Sequence, residues 1–484
     1  IGMGGLSWGG WQSTIVSALD DRIAAAASAA GCNVGHRRWF HSRGPGGAGQ
    51  HYPGFLASGL DHGDFFALIA PRAFLRVSTT RDFKSIQGAR ETYAEYRPAF
   101  EALGAADKLD ATEDDAEHGY TRKNHEAVFR FYGKHLAHPG SATFELVEGM
   151  TAEDTKIAPT GQVATSFHGA TAFDFNREEA VRLLEKLEHS RRSSEVHLAN
   201  VRRSAERLAG IQIQGGDSVP VFVGRYRRDR YAVEMYVLQG EAGYVVPLLL
   251  FVPEGTGKRP AVIYVHPKGK TAKAAVGGEV ERLVRGGYIV AVPDVAGTGE
   301  TQNTRGNQTR LQYVAITMGR SMVGLQAGDV MRVRRFLQSR AGLDVGPIGA
   351  VGIGNMGSAV VHAAALDTAI KGLVLVDAPL SYRSIVLNRF YTVDVTAMVA
   401  GALTAYDLPD LIGSIAPRRV ALIDPRDQML KTAAPALVEG ELEFPRAAFA
   451  HAGAKANFRV TAAGGDLAAM VDWCLEWNER QHIP

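Results

Sequence analysis

The sequence predicts an α/β protein made of two doubly wound domains, each with a mostly parallel sheet. Three observations predict it. Near-continuous apolar runs of strand length recur between stretches of helix length, the pattern of strands covered on both faces by helices. The length, 484 residues, exceeds what one ordinary core accommodates. A passage at the N-terminus also returns, altered, 347 residues later.

That repeat fixes the organisation. Ile1-Gly2-Met3-Gly4-Gly5-Leu6-Ser7 aligns with Ile348-Gly349-Ala350-Val351-Gly352-Ile353-Gly354, so that Ser7 falls on Gly354 and Gly10 on Gly357. Further on, Asp64-Phe65-Phe66-Ala67-Leu68-Ile69-Ala70-Pro71-Arg72 matches Asp410-Leu411-Ile412-Gly413-Ser414-Ile415-Ala416-Pro417-Arg418. Both end in Ile-Ala-Pro-Arg before an apolar run, and those runs lead to Asp82 and Asp427. The interval from Ser7 to Asp82 is 75 residues, and from Gly354 to Asp427 it is 73. Agreement in order, spacing and identity predicts two copies of one fold.

In residues 1–137 the elements expected are a helix over 8–18, strands over 23–27, 73–78 and 108–112, and helices over 88–103 and 122–136. A loop rich in glycine, histidine and aromatics occupies 31–62. Residues 138–211 read as a connector with one long helix, capped by Asn176 with Glu179 and ending before Gly210. Residues 212–484 form the second domain, with strands over 245–252, 261–265, 288–292, 348–352, 372–376, 420–423 and 458–461. The first domain starts almost at its sharpest turn. Ile1 is not an initiator methionine and no signal peptide precedes it, so a processed chain or a fragment is expected.

Composition excludes several classes of function. The 53 basic and 51 acidic residues are well mixed and leave a net charge of +2, which gives no reason for a nucleic-acid or anionic-membrane partner. The longest apolar stretches are strand-length, too short to span a bilayer. Two cysteines, Cys32 and Cys474, are too few for a disulfide framework or a metal cluster.

The chemistry starts from Gly5-Leu6-Ser7-Trp8-Gly9, the spacing of a nucleophile elbow. There a serine sits on a strained strand-to-helix turn, and small residues let helix and strand approach. Acyl transfer needs a nucleophile, a base, a group that orients the base, and oxyanion donors. Ser7 fits the first role, His118 in Glu117-His118-Gly119-Tyr120 the second, and Asp82 the third. The rival acids Asp114 and Asp115 lie beside the histidine rather than after the preceding strand, and His125 falls inside a helix. The backbone N–H of Trp8 is the expected oxyanion donor, because the residue after the nucleophile normally supplies one. Arg38, Trp39, His51, Tyr52 and His62 are candidate substrate contacts in or beside the loop. Other readings of the same residues are a capping serine, a turn-forming aspartate and a surface histidine. The second copy lacks the set: Gly354 has no nucleophile, and 36 residues beyond Asp427 stands Ala463, with no histidine over 461–466.

These residues resemble the α/β-hydrolases of the acetyl xylan esterase and dienelactone-hydrolase-like kind from bacterial carbohydrate processing. The elbow from Gly5 to Gly10, Asp64 through Arg72, Asp82 with Gly88-Ala89-Arg90, and His118 carry the resemblance. In the second copy it rests on Pro247 through Pro253, His266-Pro267-Lys268-Gly269 and Pro293-Asp294 through Gly299. Dienelactone hydrolases proper use cysteine where this chain has Ser7. The resemblance implies two α/β-hydrolase domains, the first truncated at its N-terminus and active, the second degenerate. It implies a serine esterase on acylated polysaccharide or oligosaccharide, without metal or cofactor, in an extracellular or periplasmic setting. A complete domain of this kind has about four strands before the elbow, with the loop that gives the second oxyanion N–H. Its absence implies that the full protein is active while this chain by itself has low stability or low activity. A peptidase or thioesterase on the same triad, or a non-catalytic binding or scaffold protein, are the alternatives. Composition and spacing leave the oligomeric state open.

Overall fold

In the computed structural model, residues 1–41, 48–138, 140–212, 219–303, 309–462 and 464–476 are described. The chain divides into two compact units, Ile1–Gly161 and Gln162–Pro484. The division falls within the stretch read from the sequence as a connector. Ala463 lies outside the described residues.

The first unit is built on small residues. Strand β1 (Gly2–Leu6) runs into helix α1 (Trp8–Leu19), and β2 (Ala25–Ala29) follows, reading Ala-Ala-Ala-Ser-Ala with every residue buried. Alanine is a poor strand former by itself, so burial decides here, and the strand begins two residues later than expected. Helices α2 (His36–His41) and α3 (His62–Ile69) occupy parts of the segment read as a loop. Strand β3 (Ala73–Thr79), helix α4 (Ile86–Ala102), strand β4 (Leu109–Asp114) and helix α5 (Arg122–His135) complete the unit. The sheet order is β1-β2-β3-β4 with every pair parallel. Alternation along the strands divides the core in two. Ala26 and Phe74 join Trp11, Phe66, Tyr96 and Phe100 on one face, while Ala25, Ala27, Leu75 and Val77 join Val128 and Phe131 on the other.

The second unit opens with helices α6 (Val163–Phe167), α7 (Ala172–Arg191) and α8 (Ser194–Ala209). The single long helix expected here is two, broken at Arg192 and Ser193. The capping box is Thr171 with Asp174, five residues ahead of the expected Asn176 and Glu179. Helices α7 and α8 are core elements: Leu184, Leu187, Val201, Ala205 and Ala209 belong to the same buried cluster as Val323, Leu411 and Ile412.

Strands β5 (Val221–Arg228), β6 (Tyr231–Gln239), β7 (Val245–Pro253) and β8 (Arg259–Val265) come next, then α9 (Glu279–Arg285) and β9 (Ile289–Pro293). Helices α10 (Thr309–Thr317) and α11 (Met322–Ser339) precede β10 (Val345–Ile353), α12 (Met356–Leu366) and β11 (Ile370–Val376). Helices α13 (Tyr382–Val386) and α14 (Leu408–Ser414) lead to β12 (Arg419–Ile423). Helices α15 (Pro435–Glu441) and α16 (Glu443–His451), strand β13 (Phe458–Thr461) and helix α17 (Leu467–Leu475) end the unit. The nine-stranded sheet runs β13-β12-β11-β10-β8-β9-β7-β6-β5, antiparallel from β5 through β7 to β9 and parallel beyond. Strands β5 and β6 go beyond the strands expected from the sequence, because charged residues break their apolar runs. Among the described residues no single helix is long and apolar enough to cross a membrane, although one bent pair, Val395–Thr404 with Leu408–Ser414, passes by length and composition.

The sequence repeat has a local structural counterpart in each unit. The Ser7 N–H donates to Ala29 O at 2.8 Å, and the Gly354 N–H to Val376 O at 2.8 Å. Arg72 donates to Asp20 O and Ile23 O; Arg418 donates to Asp367 O and Ile370 O. Ala70-Pro71 and Ala416-Pro417 are both cis. Asp61 with Asp64 caps α3, and Asp407 with Asp410 caps α14. The match covers β1–β4 and β10–β13. In the second unit β10 pairs with β8 as well as β11, whereas β1 pairs with β2 only among the described residues.

Burial separates the two capping acids. Asp64 is exposed, but Asp410 is fully buried and receives Arg191 through two bonds of 2.8 Å and His197 Nε2 at 2.9 Å. Burial pushes the Asp410 carboxyl up, and the His197 and Arg191 bonds outweigh it and hold it below the usual carboxylate range. Asp410→Ala leaves the largely buried Arg191 with only Glu188, at 2.7 Å, and removes the carboxylate from the buried His197. It is expected to lower the stability of the second unit by about 3–5 kcal/mol, against about 1 kcal/mol for Asp64→Ala in the first. Urea unfolding midpoints of the two variants check this; equal shifts would contradict it.

Candidate active site

The turn after β1 holds Ser7 at φ 58°, ψ −112°, a backbone conformation that non-glycine residues adopt only under constraint. The constraint is close packing. A Cβ on Gly5 would stand 2.4 Å from Gly9 C, and one on Gly10 would stand 2.5 Å from Ala29 O. A Cβ on Gly9 would meet nothing within 4 Å, so Gly5 and Gly10 are the glycines this turn demands. Ser7 precedes α1 but makes no side-chain capping bond to it, which removes the reading of a capping serine. Trp8 is the first residue of α1, and its N–H is one of those a helix start leaves without an intrahelical acceptor. Its side chain is half exposed.

The chain beyond β3 turns through Thr80 and Arg81 to Asp82, whose side chain is 4% exposed. Asp82 Oδ2 accepts from His118 Nδ1 at 2.8 Å, and its Oδ1 accepts the Lys84 N–H at 2.9 Å. His118 follows β4, with its ring centre 4.6 Å from that of Phe83. The structure therefore brings Asp82 and His118 together. All three sequence-predicted residues follow the carboxyl ends of parallel strands in one sheet: Ser7 after β1, Asp82 after β3 and His118 after β4. The rival acids are engaged elsewhere. Asp115 accepts from Thr80 Oγ1 at 2.6 Å and faces Arg81, and Asp114 accepts the Asp115 N–H at 3.0 Å. The His125 ring stacks between Tyr120 and Phe144.

The five candidate substrate contacts have distinct surroundings. Arg38 pairs with Glu91 at 2.6 Å through an exposed fork. Trp39, His51 and His62 are buried, with Trp39 stacked on His51 and His62 edge-on to Trp11. Tyr52 is half-buried against Phe55 and Phe65. Burial, with repulsion from His36, pushes the His51 imidazole down to about 4.

Two residues that the motifs did not flag shape the site from below. The Lys84 ammonium donates to the carbonyls of Ala30 at 2.7 Å and Gly31 at 2.5 Å, fixing the chain after β2 beside Asp82. Burial pulls its ammonium below the ordinary lysine value. Asn33 Nδ2 donates to Val77 O at 2.9 Å across the sheet end. A lysine two residues beyond an acid carries no sequence signature. Cys32 is buried, and burial pushes its thiol well up, so it offers no thiolate nucleophile.

The second unit places other groups at the matching positions. Gly354 holds φ 54° without a side chain. The Asp427 carboxylate turns back on its own loop and accepts the N–H groups of Met429 and Lys431 at 2.8 and 2.9 Å. Arg426 pairs with Asp377 beside it. A Cβ on Gly354 has room, since its first neighbour, Pro267 Cγ, stands 3.9 Å away. Gly354→Ser, added to a Ser7→Ala background, is therefore expected to fold yet restore no ester hydrolysis and no fluorophosphonate labelling. Recovered activity would contradict this reading of the second unit.

No family model matches the chain, and no curated protein matches it in sequence. Among solved structures it is similar to a candidate acetyl xylan esterase from Bacteroides fragilis, 16% identical, covering 66% of this chain and 85% of that one with a TM-score of 0.46. It is also similar to acetyl xylan esterase 1 from Thermoanaerobacterium, at 14% identity, 59% and 93% coverage and a TM-score of 0.40. A third is a CE15 glucuronoyl esterase from Teredinibacter turnerae, at 13% identity, 55% and 79% coverage and a TM-score of 0.40. These similar structures carry the names of two acetyl xylan esterases and one glucuronoyl esterase.

Proposed function

We propose that this chain is a serine esterase acting on acylated carbohydrate, with Ser7, His118 and Asp82 as its triad. The observation that carries the reading is the 2.8 Å bond from His118 to the buried Asp82, on the sheet edge where a non-capping Ser7 is held at positive φ. A carboxylate only accepts, so His118 carries its proton on Nδ1 and presents the Nε2 lone pair as base. In acylation the Ser7 oxygen bonds to the ester carbonyl carbon, while His118 takes the hydroxyl proton and passes it to the departing alcohol. Water then attacks the acyl-enzyme through the same histidine and releases the acid. The Trp8 N–H faces the developing oxyanion, aided by the start of α1.

The carbohydrate substrate rests on the motif resemblance, and the second unit is read as a degenerate copy of the hydrolase fold without a triad. Turnover of an aryl acetate, acetylated xylan and a methyl-esterified uronate by the intact protein tests the proposal. Hydrolysis of at least one carbohydrate ester, lost in Ser7→Ala, is expected. Activity on peptides or thioesters alone would replace it with one of the other triad chemistries.

A further inference from the structure

The turn that carries Asp82 has a counterpart in the second unit, and the two differ at one telling side chain. Asp82 Oδ1 accepts the N–H of Lys84, two residues on, at 2.9 Å, and Asp427 Oδ1 accepts the N–H of Met429 at 2.8 Å. A turn of this kind aims a carboxylate through its own backbone. The neighbouring segments match as well. Ala30 holds φ 47° and donates to Val77 O at 3.1 Å, while Asp377 holds φ 54° and donates to Ile423 O at 3.0 Å. Methionine therefore suffices for the turn. It stands in the unit whose elbow carries Gly354, and lysine stands in the unit that carries Ser7 and His118.

What the lysine adds is a tie. In the second unit the Ala378 carbonyl accepts the Arg426 N–H at 2.9 Å, so backbone joins the acid's turn to the segment after β11. In the first unit the matching N–H, that of Arg81, donates to Ala116 O at 3.0 Å, on the chain that leads to His118. The tie to the segment after β2 is made through the Lys84 ammonium, which donates to Ala30 O at 2.7 Å and Gly31 O at 2.5 Å. That segment bears on the elbow. Ala29 O accepts the Ser7 N–H at 2.8 Å, and a Cβ on Gly31 would stand 2.4 Å from Gly10 C and 2.6 Å from Trp11 N. The Asp82 turn is thus held on one side by residues just before His118 and on the other by residues that pack behind Ser7.

We infer that Lys84 is a positioning residue for the triad: its ammonium holds the Asp82 turn against the segment that seats the elbow, so that Asp82 and the His118 bound to it keep their place relative to Ser7. The inference rests on the triad proposed above. Lysine suits the task, because a flexible four-carbon stem brings a compact group with three donors to two carbonyl oxygens at once. The ammonium touches none of the reacting atoms and acts through the aim of Asp82. Its removal frees the turn to shift, and a misplacement of about 1 Å costs on the order of 10²-fold in rate.

The test compares the intact protein with Lys84→Met, the residue found at the matching position of the second unit. With an aryl acetate, kcat is expected to fall by about 10–100-fold while KM stays within about twofold. A second readout does not depend on turnover. The His118 N–H bonded to Asp82 is followed by proton NMR as a far-downfield imidazole resonance, assigned by its loss in His118→Gln. In Lys84→Met that resonance is expected to shift or weaken, with the circular dichroism spectrum unchanged. An unshifted resonance in folded Lys84→Met would overturn the inference, and so would a kcat within about threefold of wild type. Should Lys84→Met not fold, Lys84→Gln is read in the same two ways, and failure of both to fold would overturn the inference by making the role of the lysine structural. No Ser7-dependent turnover by the wild type, beside a resonance that responds to Lys84→Met, would count against the esterase reading alone and support the tie.

Discussion

Ser7→Ala is expected to lower kcat/KM for ester hydrolysis by about 10⁴-fold or more while leaving the fold intact. The size follows from what is removed. Without Oγ no acyl-enzyme forms, and only the oxyanion donor and the bound substrate's orientation remain to speed attack by water. The fold is spared because the Ser7 side chain makes no capping bond, while the backbone bonds to Ala29 O and from Trp11 N–H are untouched. Alanine must still adopt φ 58°, so a cost of about 1–3 kcal/mol already present with serine is unchanged. A steady-state assay with an aryl acetate, beside circular dichroism, reads both halves. A loss under tenfold would remove Ser7 from the chemistry.

Asp82→Asn is expected to cost about 10⁴ in kcat with little change in KM, and the reason is specific to this site. Asp82 Oδ1 accepts the Lys84 N–H at 2.9 Å, and that donor does not change on substitution. In the variant the amide oxygen must therefore stay on Lys84, which turns the NH2 group toward His118. His118 then accepts on Nδ1 and carries its proton on Nε2, where the proposed mechanism needs a base rather than a donor. Asp82→Ala leaves the histidine unoriented but free in tautomer, so it is expected to retain more activity than Asp82→Asn. Comparison of kcat for the two variants checks the order. The reverse order would mean that charge, rather than tautomer, is the contribution of Asp82.

Much of this is legible in the sequence itself, because the informative features are local. The elbow, the Ile-Ala-Pro-Arg passages and the acids after them sit in short runs whose spacing is set by one strand and one turn. Buried parallel strands also announce themselves as apolar runs, and β7 through β13 fall within a few residues of expectation. What escaped depends on neighbours distant in sequence. Strand β5 carries three arginines on a mostly exposed strand at the sheet edge, and β6 carries one glutamate, Glu234, opposite Arg225. Helices α7 and α8 read as one polar connector because Leu184, Leu187 and Val201 find their core across the unit. The G-x-S-x-G spacing points to Gly9, yet the space around each glycine makes Gly10 the demanding one. His36 and His62 are 26 residues apart, and only the fold sets their rings 3.9 Å apart.

The central claim is that one serine in this chain is activated, and one measurement addresses it most directly. The intact protein is treated with a fluorophosphonate, digested, and the modified peptide identified by mass. A single stoichiometric adduct on Ser7, abolished by Ser7→Ala and by His118→Ala, is the predicted result. An unmodified Ser7, or an adduct on any other serine at equal rate, would contradict it.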